Sequence, residues 1–376
     1  MANFWNETRR MAFVDGLWYR FIRTKQIELF MSPAEIYSQL HDLIMDPTRL
    51  PIAAAAIILV SVIGVLFGPL MGNANPVFWR AVDFLFGPLG SRLDKTERKA
   101  ADLMTRGLIV TIIALVLGFM VGTAFQSLSA EYANYLVVDI VALSLVMSAG
   151  AGWHALIRLY KAMSTTGQVK GAFYTLAATT RSNLSIADEF TITRVGIGMG
   201  ARLFDKGIVG PVLWYLIAGL PAAYIYATLA ALSWRFGKEG FTKGFGASAL
   251  SLEKLMGFVP NVFSGLLLAL AGILTPTAGM TRSFIGLLRV TKGRAGYFQG
   301  GSPVTAMAYA LKVSLGGATQ DVDGSAIKRG WAGPDGATAK LDAKHLHRAL
   351  YILVMAHLLF LGAVLSLVVL RGHGLI

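Results

Sequence analysis

The amino-acid sequence predicts an all-α polytopic membrane protein with five to six spans, at least one of them broken or re-entrant. Only 15% of its 376 residues are charged, against roughly 25% in an ordinary soluble domain. Hydrophobic residues make up 55% and mean hydropathy is +0.59. The apolar residues gather in runs close to the ~20 residues needed to cross about 30 Å of hydrocarbon. This composition excludes a disordered chain and a basic nucleic-acid-binding domain, both of which need a polar sequence. With no cysteine, disulfides, thiolate metal sites and iron–sulfur clusters are excluded as well.

Residues 1–50 form a first segment too polar to span. Phe4, Trp5, Phe13, Trp18, Tyr19, Phe21 and Ile22 are interleaved with Arg9, Arg10, Arg20, Arg23 and Lys25. That mix suits an amphipathic helix lying at the bilayer surface or a helix docking a partner chain. Trp5, Arg9, Arg10, Trp18, Arg20 and Arg23 are its docking candidates. No signal-peptide apolar core is evident there. The membrane domain, residues 51–376, follows. Residues 51–71 and 107–126 are uncharged runs, and 135–153 is interrupted only by Asp139. Residues 208–232 are divided by Pro211 and Gly219-Leu220-Pro221, the pattern of a helix broken where its backbone lines protein or a cavity. Residues 256–277 carry Pro260 near their start, and 349–370 are again uncharged. Between 299 and 340, Gly, Ser and Asp predict a loop region.

Lys and Arg outnumber Asp and Glu by 34 to 21, a net charge of +13. In a membrane protein such an excess holds loops at the anionic cytoplasmic face. Of the 34 basic residues, 23 fall in segments 72–106, 154–207 and 278–348, which the positive-inside rule places in the cytoplasm. A re-entrant fourth span would reverse the parity downstream. The lipid bilayer is the expected partner, and nucleic acid is not.

Polar residues inside apolar runs are the candidates for chemistry. Asp139 is the best of them, because an intramembrane carboxylate costs a few kcal/mol on insertion scales and usually has a partner or a role. Gly196-Ile197-Gly198-Met199-Gly200 lacks the strand and spacing of a dinucleotide loop and predicts close helix packing. His345 and His347, two apart, cannot share a helix face as a zinc pair does, and His357 lies within the last span. Asp321, Asp323 and Gly324 predict a solvated turn, since the acidic positions of a calcium loop are missing. No metal site is expected.

An ordered series of short motifs carries a resemblance. It comprises Asp42 and Asp46-Pro47 with Pro51, the run from Pro211 through Gly219 and Pro221 to Tyr226, Phe245-Gly246, and Pro260. Ser302-Pro303, Ala306-Met307-Ala308, Leu315-Gly316-Gly317, Trp331, Gly333, Gly336 and Arg348-Ala349-Leu350 complete it. Over about residues 42–359 the chain resembles the CobD/CbiB adenosylcobinamide-phosphate synthases, whose superfamily includes the AmpE proteins. The resemblance implies a bacterial cytoplasmic (inner) membrane location. It also implies an enzyme that joins an amino-alcohol phosphate to a corrinoid carboxylate using ATP, chemistry that needs carboxylates for Mg²⁺ and polar groups around phosphate.

The family's acidic boxes are largely absent. Its E-S-x-x-E-N-x-x-D box falls on residues 198–206, where Asp205 stands one place out of register beside Arg202 and Lys206. Its N-T-x-D-S box becomes 230–234, its paired acids become Glu253-Lys254, and its P-A-R becomes Pro260-Asn261-Val262. Glycine, proline and apolar spacing survive. The first expectation is therefore a non-catalytic structural or accessory subunit of a larger membrane assembly, with no cofactor. The alternative is a divergent synthase using Glu253, Asp205, Ser302 and Asp46, in which case Mg-ATP and a corrinoid are its ligands. A transporter built on Asp139 and the broken fourth span, or an AmpE-like regulator, is the third reading.

Overall fold

A computed structural model of the protein describes residues 46, 48–95, 97–131, 135–165, 172–237, 240, 244–275, 280–289, 292–327 and 329–373. Contacts divide the chain into Met1–Asp46 and Pro47–Ile376, and the second unit is the one described below. The docking candidates Trp5, Arg9, Arg10, Trp18, Arg20 and Arg23 lie outside the described residues.

The fold is a polytopic helical bundle. Its helices are α1 (Arg49–Phe67), α2 (Val77–Leu93), α3 (Ala100–Glu131), α4 (Tyr135–Leu145), α5 (Gly150–Thr165), α6 (Ala172–Thr180) and α7 (Glu189–Phe204). They continue with α8 (Gly210–Phe236), α9 (Gly244–Leu274), α10 (Met280–Leu288), α11 (Gly301–Leu311) and α12 (Ala343–Gly372). Short strands Ser182–Asn183, Thr319–Asp321 and Ala326–Ile327 form one antiparallel sheet, while Leu315–Gly316 pairs with Trp331–Ala332. Among the described residues, five helices are long and apolar enough to cross a membrane: α1, α3, the run Glu189–Phe236, α9 and α12. Outward positions on them are large and apolar, such as Ile63 and Leu66 on α1, Ile109 on α3 and Leu358 on α12. In water that pattern would be unfavourable; against lipid it is the expected outer face.

The third predicted span is a bent pair. Leu136–Leu145 and Gly150–Thr165 meet at 44°, because Ser148 leaves the helical ladder. Its N–H bonds to Gly207 O at 2.8 Å and its hydroxyl to Ala74 O. Just beyond the break, α5 crosses α1 backbone to backbone. A Cβ on Gly64 would lie 2.3 Å from Ala151 N, and one on Gly150 would lie 2.1 Å from Ser61 O. Small residues here allow the approach that membrane helices use in place of a hydrophobic drive.

The fourth predicted span is the second half of a 48-residue helical run, Glu189–Phe236, roughly 70 Å at 1.5 Å per residue. A five-residue π-turn, Asp205–Val209, joins its halves. At Ala218 (φ −140°) and Gly219 (φ +73°) the run kinks. Pro221 cannot supply a ladder N–H, and Arg49 Nη1 donates to the part-buried Leu216 carbonyl at 3.3 Å.

The expectation of a loop over 299–340 is corrected in part. Gly301–Leu311 is a helix buried on every side, because Gly301, Ser302, Ala306, Ala308 and Ala310 give neighbouring helices nothing bulky to avoid. Residues 196–200 lie inside buried α7, where Gly196 packs on Leu176 and Gly200 on Leu353. Gly196 and Gly200 serve helix packing, as expected, whereas Gly198 meets no neighbour within 4 Å.

Candidate functional site

Asp205 and Lys206 open the π-turn between α7 and α8. A π-turn widens the helix locally and recurs at functional sites. Here it lets two adjacent polar side chains both reach α9. Lys206 Nζ donates to Glu253 Oε2 at 3.0 Å, with the Glu253 side chain fully buried and that of Lys206 only 11% exposed. Tyr297 Oη donates to Glu253 Oε1 at 2.7 Å, and the Lys206 ammonium sits 4.9 Å from the centroid of the Tyr297 ring. Burial first, then the charge of Glu253, pushes the Tyr297 phenol far above its ordinary value. The phenol therefore stays protonated and remains a donor.

Asp205 is held by the next turns of α9. Asn261 Nδ2 donates to its Oδ2 at 2.7 Å and Ser264 Oγ lies 3.1 Å from its Oδ1. Asn261 also ties the cluster to the amino end of α11, since its Oδ1 accepts from Ser302 N–H at 2.9 Å and its Nδ2 donates to Gly300 O at 3.2 Å. Arg294 Nη2 donates to the Ser302 hydroxyl at 3.2 Å. Glu253, Asn261 and Ser264 are spaced eight and three apart, so they share one face of α9.

A pocket lined by Lys206, Arg202 and Leu203 borders this cluster. Arg202, Lys206 and Arg329 supply its positive charge, and Arg202 and Arg329 also line a second pocket. Among the described residues neither guanidinium forms an ion pair. Burial draws the Arg329 guanidinium below its ordinary value, with Asp321 opposing. Two further donors on the first pocket's wall, the Trp79 indole N–H and the Ser233 hydroxyl, are buried with no hydrogen-bond partner among the described residues. Buried polar groups without partners are rare in native structures. Cations and unmatched donors lining one pocket suit an oxyanion.

The structure thus brings together three of the four remnant residues. Asp205 and Glu253 meet through Lys206, and Ser302 joins through Asn261. Asp46 closes the separate unit Met1–Asp46. Asp139 lies elsewhere, on α4, and accepts a hydrogen bond from Tyr215 Oη at 3.2 Å. Lys206, Asn261, Ser264, Tyr297, Trp79, Ser233 and Arg329 are added by the fold.

The carboxylates do not fit a resident Mg²⁺. Their oxygens face an ammonium, an amide NH₂, a phenol and a hydroxyl, which occupy the directions a cation would need. Among the described residues no group of three or more His, Asp and Glu is placed to hold a metal.

Fold and site together define a polytopic helical protein with a buried, cation-rich polar centre. The chain belongs to the CobD/Cbib protein family, whose sequence model matches residues 61–353. It is similar to a cobalamin biosynthesis protein CobD of Rhizobium meliloti, 26% identical over 279 residues that cover 70% of this chain and 83% of the relative. Probable cobalamin biosynthesis proteins CobD of Methanococcus maripaludis and Pyrococcus abyssi are each 24% identical, over 46% and 52% of this chain. The matched stretch spans 57% and 63% of those two relatives' own lengths. No solved structure matches.

Proposed function

We propose that the protein works in cobalamin biosynthesis as a divergent CobD-type protein of the bacterial cytoplasmic membrane, and that its pocket takes the phosphate of a small phosphorylated amino alcohol. The observation that carries this reading is a pocket lined by Arg202, Lys206 and Arg329 together with the Trp79 and Ser233 donors, which have no partner among the described residues. Family membership and the names of the relatives supply the pathway. The test is complementation of corrinoid synthesis in a strain lacking its own CobD protein. Wild type restores corrinoid, whereas R202Q, inserted at normal levels, does not. Failure of the wild-type chain to restore corrinoid would count against a catalytic role.

A second reading, a non-catalytic accessory subunit of a membrane complex, is favoured by one observation. Both site carboxylates are already engaged by Lys206, Tyr297 and Asn261. On that reading wild type fails to complement yet co-purifies with stoichiometric partners from its native membrane.

A further inference from the structure

Helix α2 is too short and too polar to be counted among the spanning helices, yet its outer face is apolar. It packs on α8 and α3 through Trp79, Val82, Phe86, Gly87 and Gly90. The opposite stripe, Val77, Ala81, Phe84, Leu85, Pro88 and Leu89, is exposed, with Phe84 at 81% and Leu85 at 61%. Those positions recur at intervals of three and four, one face of a helix. The stripe is an extension of a lipid-facing surface. Ile63, Leu66 and Phe67 lead down the outer side of α1 to Leu70 and Met71, which are also exposed. Arg80 clamps α2 to that turn by donating to Leu70 O at 3.1 Å and Met71 Sδ at 2.7 Å. The acid of the helix, Asp83, is turned inward onto Arg235 at 3.0 Å and Arg181 at 3.7 Å. Past the stripe, Arg92, Lys95 and Lys99 are exposed.

We infer that α2 is a surface anchor that lies in the headgroup layer of an anionic leaflet, with Phe84, Leu85 and Leu89 in the acyl boundary and Arg92, Lys95 and Lys99 against the phosphates. Its ends are tied to two spans, α1 and α3, which emerge on the same side of the bilayer. A helix with an apolar face and flanking basic residues is held at that depth by buried area plus attraction to anionic lipid. The inner face of the same helix carries Trp79 into the pocket, so the leaflet braces one pocket wall.

The absence of cysteine allows single-site labelling of the full chain. F84C and L89C carry an environment-sensitive fluorophore in vesicles of mixed neutral and anionic lipid. V322C, at an exposed hairpin turn, reports water; L358C, on the outer side of α12, reports acyl chain. Labels at 84 and 89 should be quenched several-fold more by shallow than by deep lipid-borne quenchers, and should resist aqueous iodide relative to V322C. Adding R92Q, K95Q and K99Q should remove the difference between neutral and anionic vesicles. Iodide quenching equal to V322C overturns the inference, because the face is then in water. Depth equal to L358C overturns it in favour of a membrane-crossing or re-entrant segment. Shielding from both quenchers overturns it in favour of a protein cover.

Discussion

Replacing Lys206 with Met tests whether the buried centre is an ion pair held together by mutual compensation. Glu253 is fully buried, and Lys206 Nζ lies 3.0 Å from its Oε2. Removing the ammonium leaves the Tyr297 phenol, at 2.7 Å, as the carboxylate's partner among the described residues. Breaking one partner of a buried pair costs about 3–5 kcal/mol, whereas replacing both with apolar groups is often neutral or favourable. With an unfolding entropy of about 2.1 cal/mol/K per residue over some 330 residues, that loss lowers Tm by roughly 4–7 °C. The assay is thermal unfolding of purified K206M, E253M and the double variant in one detergent. Each single variant should show a drop of that order, and the double variant should recover to within about 1 kcal/mol of wild type. A double variant whose loss equals the sum of the singles would refute the pair as a coupled unit.

Three other outcomes follow from the same geometry. Gly219→Ala puts a Cβ on a residue at φ +73° and 3.0 Å from Gln126 Oε1, costing about 1–3 kcal/mol, and an unchanged Tm would show that the kink is not held in this form. Tyr226→Phe removes a fully buried hydroxyl with no partner among the described residues. It should leave stability unchanged or raise it by about 1 kcal/mol, and a clear loss would mean that the hydroxyl is bonded. Asp342 caps α12 by accepting from the Lys344 and His345 N–H groups and the His345 ring. Burial pushes its carboxyl up, but the His345 and Lys344 donors outweigh it and hold it below 3.8. Because the native value is depressed, the cap's contribution is complete above the ordinary Asp value and disappears as pH falls through the lowered one. With the side chain 56% exposed, Asp342→Ala costs about 0.5–1 kcal/mol at pH 7, and the cost shrinks as pH is lowered below the ordinary Asp value, measured by chemical denaturation.

The spans were legible because composition alone decides which runs can sit in hydrocarbon. The break of the third span was not, since Val146-Met147-Ser148-Ala149 looks like any apolar run and only the tertiary bonds of Ser148 to Gly207 and Ala74 open it. The helix at Gly301–Leu311 escaped for the opposite reason, because small residues read as loop until neighbours enclose them. In the site, Asp205, Glu253 and Ser302 could be named from motif position. The spacing of Glu253, Asn261 and Ser264 on one helix face was a signal available in the sequence. The pairing of Lys206 with Glu253, 47 positions apart, and the arrival of Arg329 and Trp79 at one pocket depend on helix packing that no local pattern encodes.

Equilibrium binding of an aminoalkyl phosphate to the protein in nanodiscs probes the proposed oxyanion pocket lined by Arg202, Lys206 and Arg329. Each lost charge-assisted hydrogen bond is worth about 1.5–3 kcal/mol, so R202Q and R329Q should each weaken binding about 10- to 150-fold while the folded fraction stays constant. Affinity that is the same in wild type, R202Q and R329Q, or no binding by wild type, would rule out an oxyanion site there.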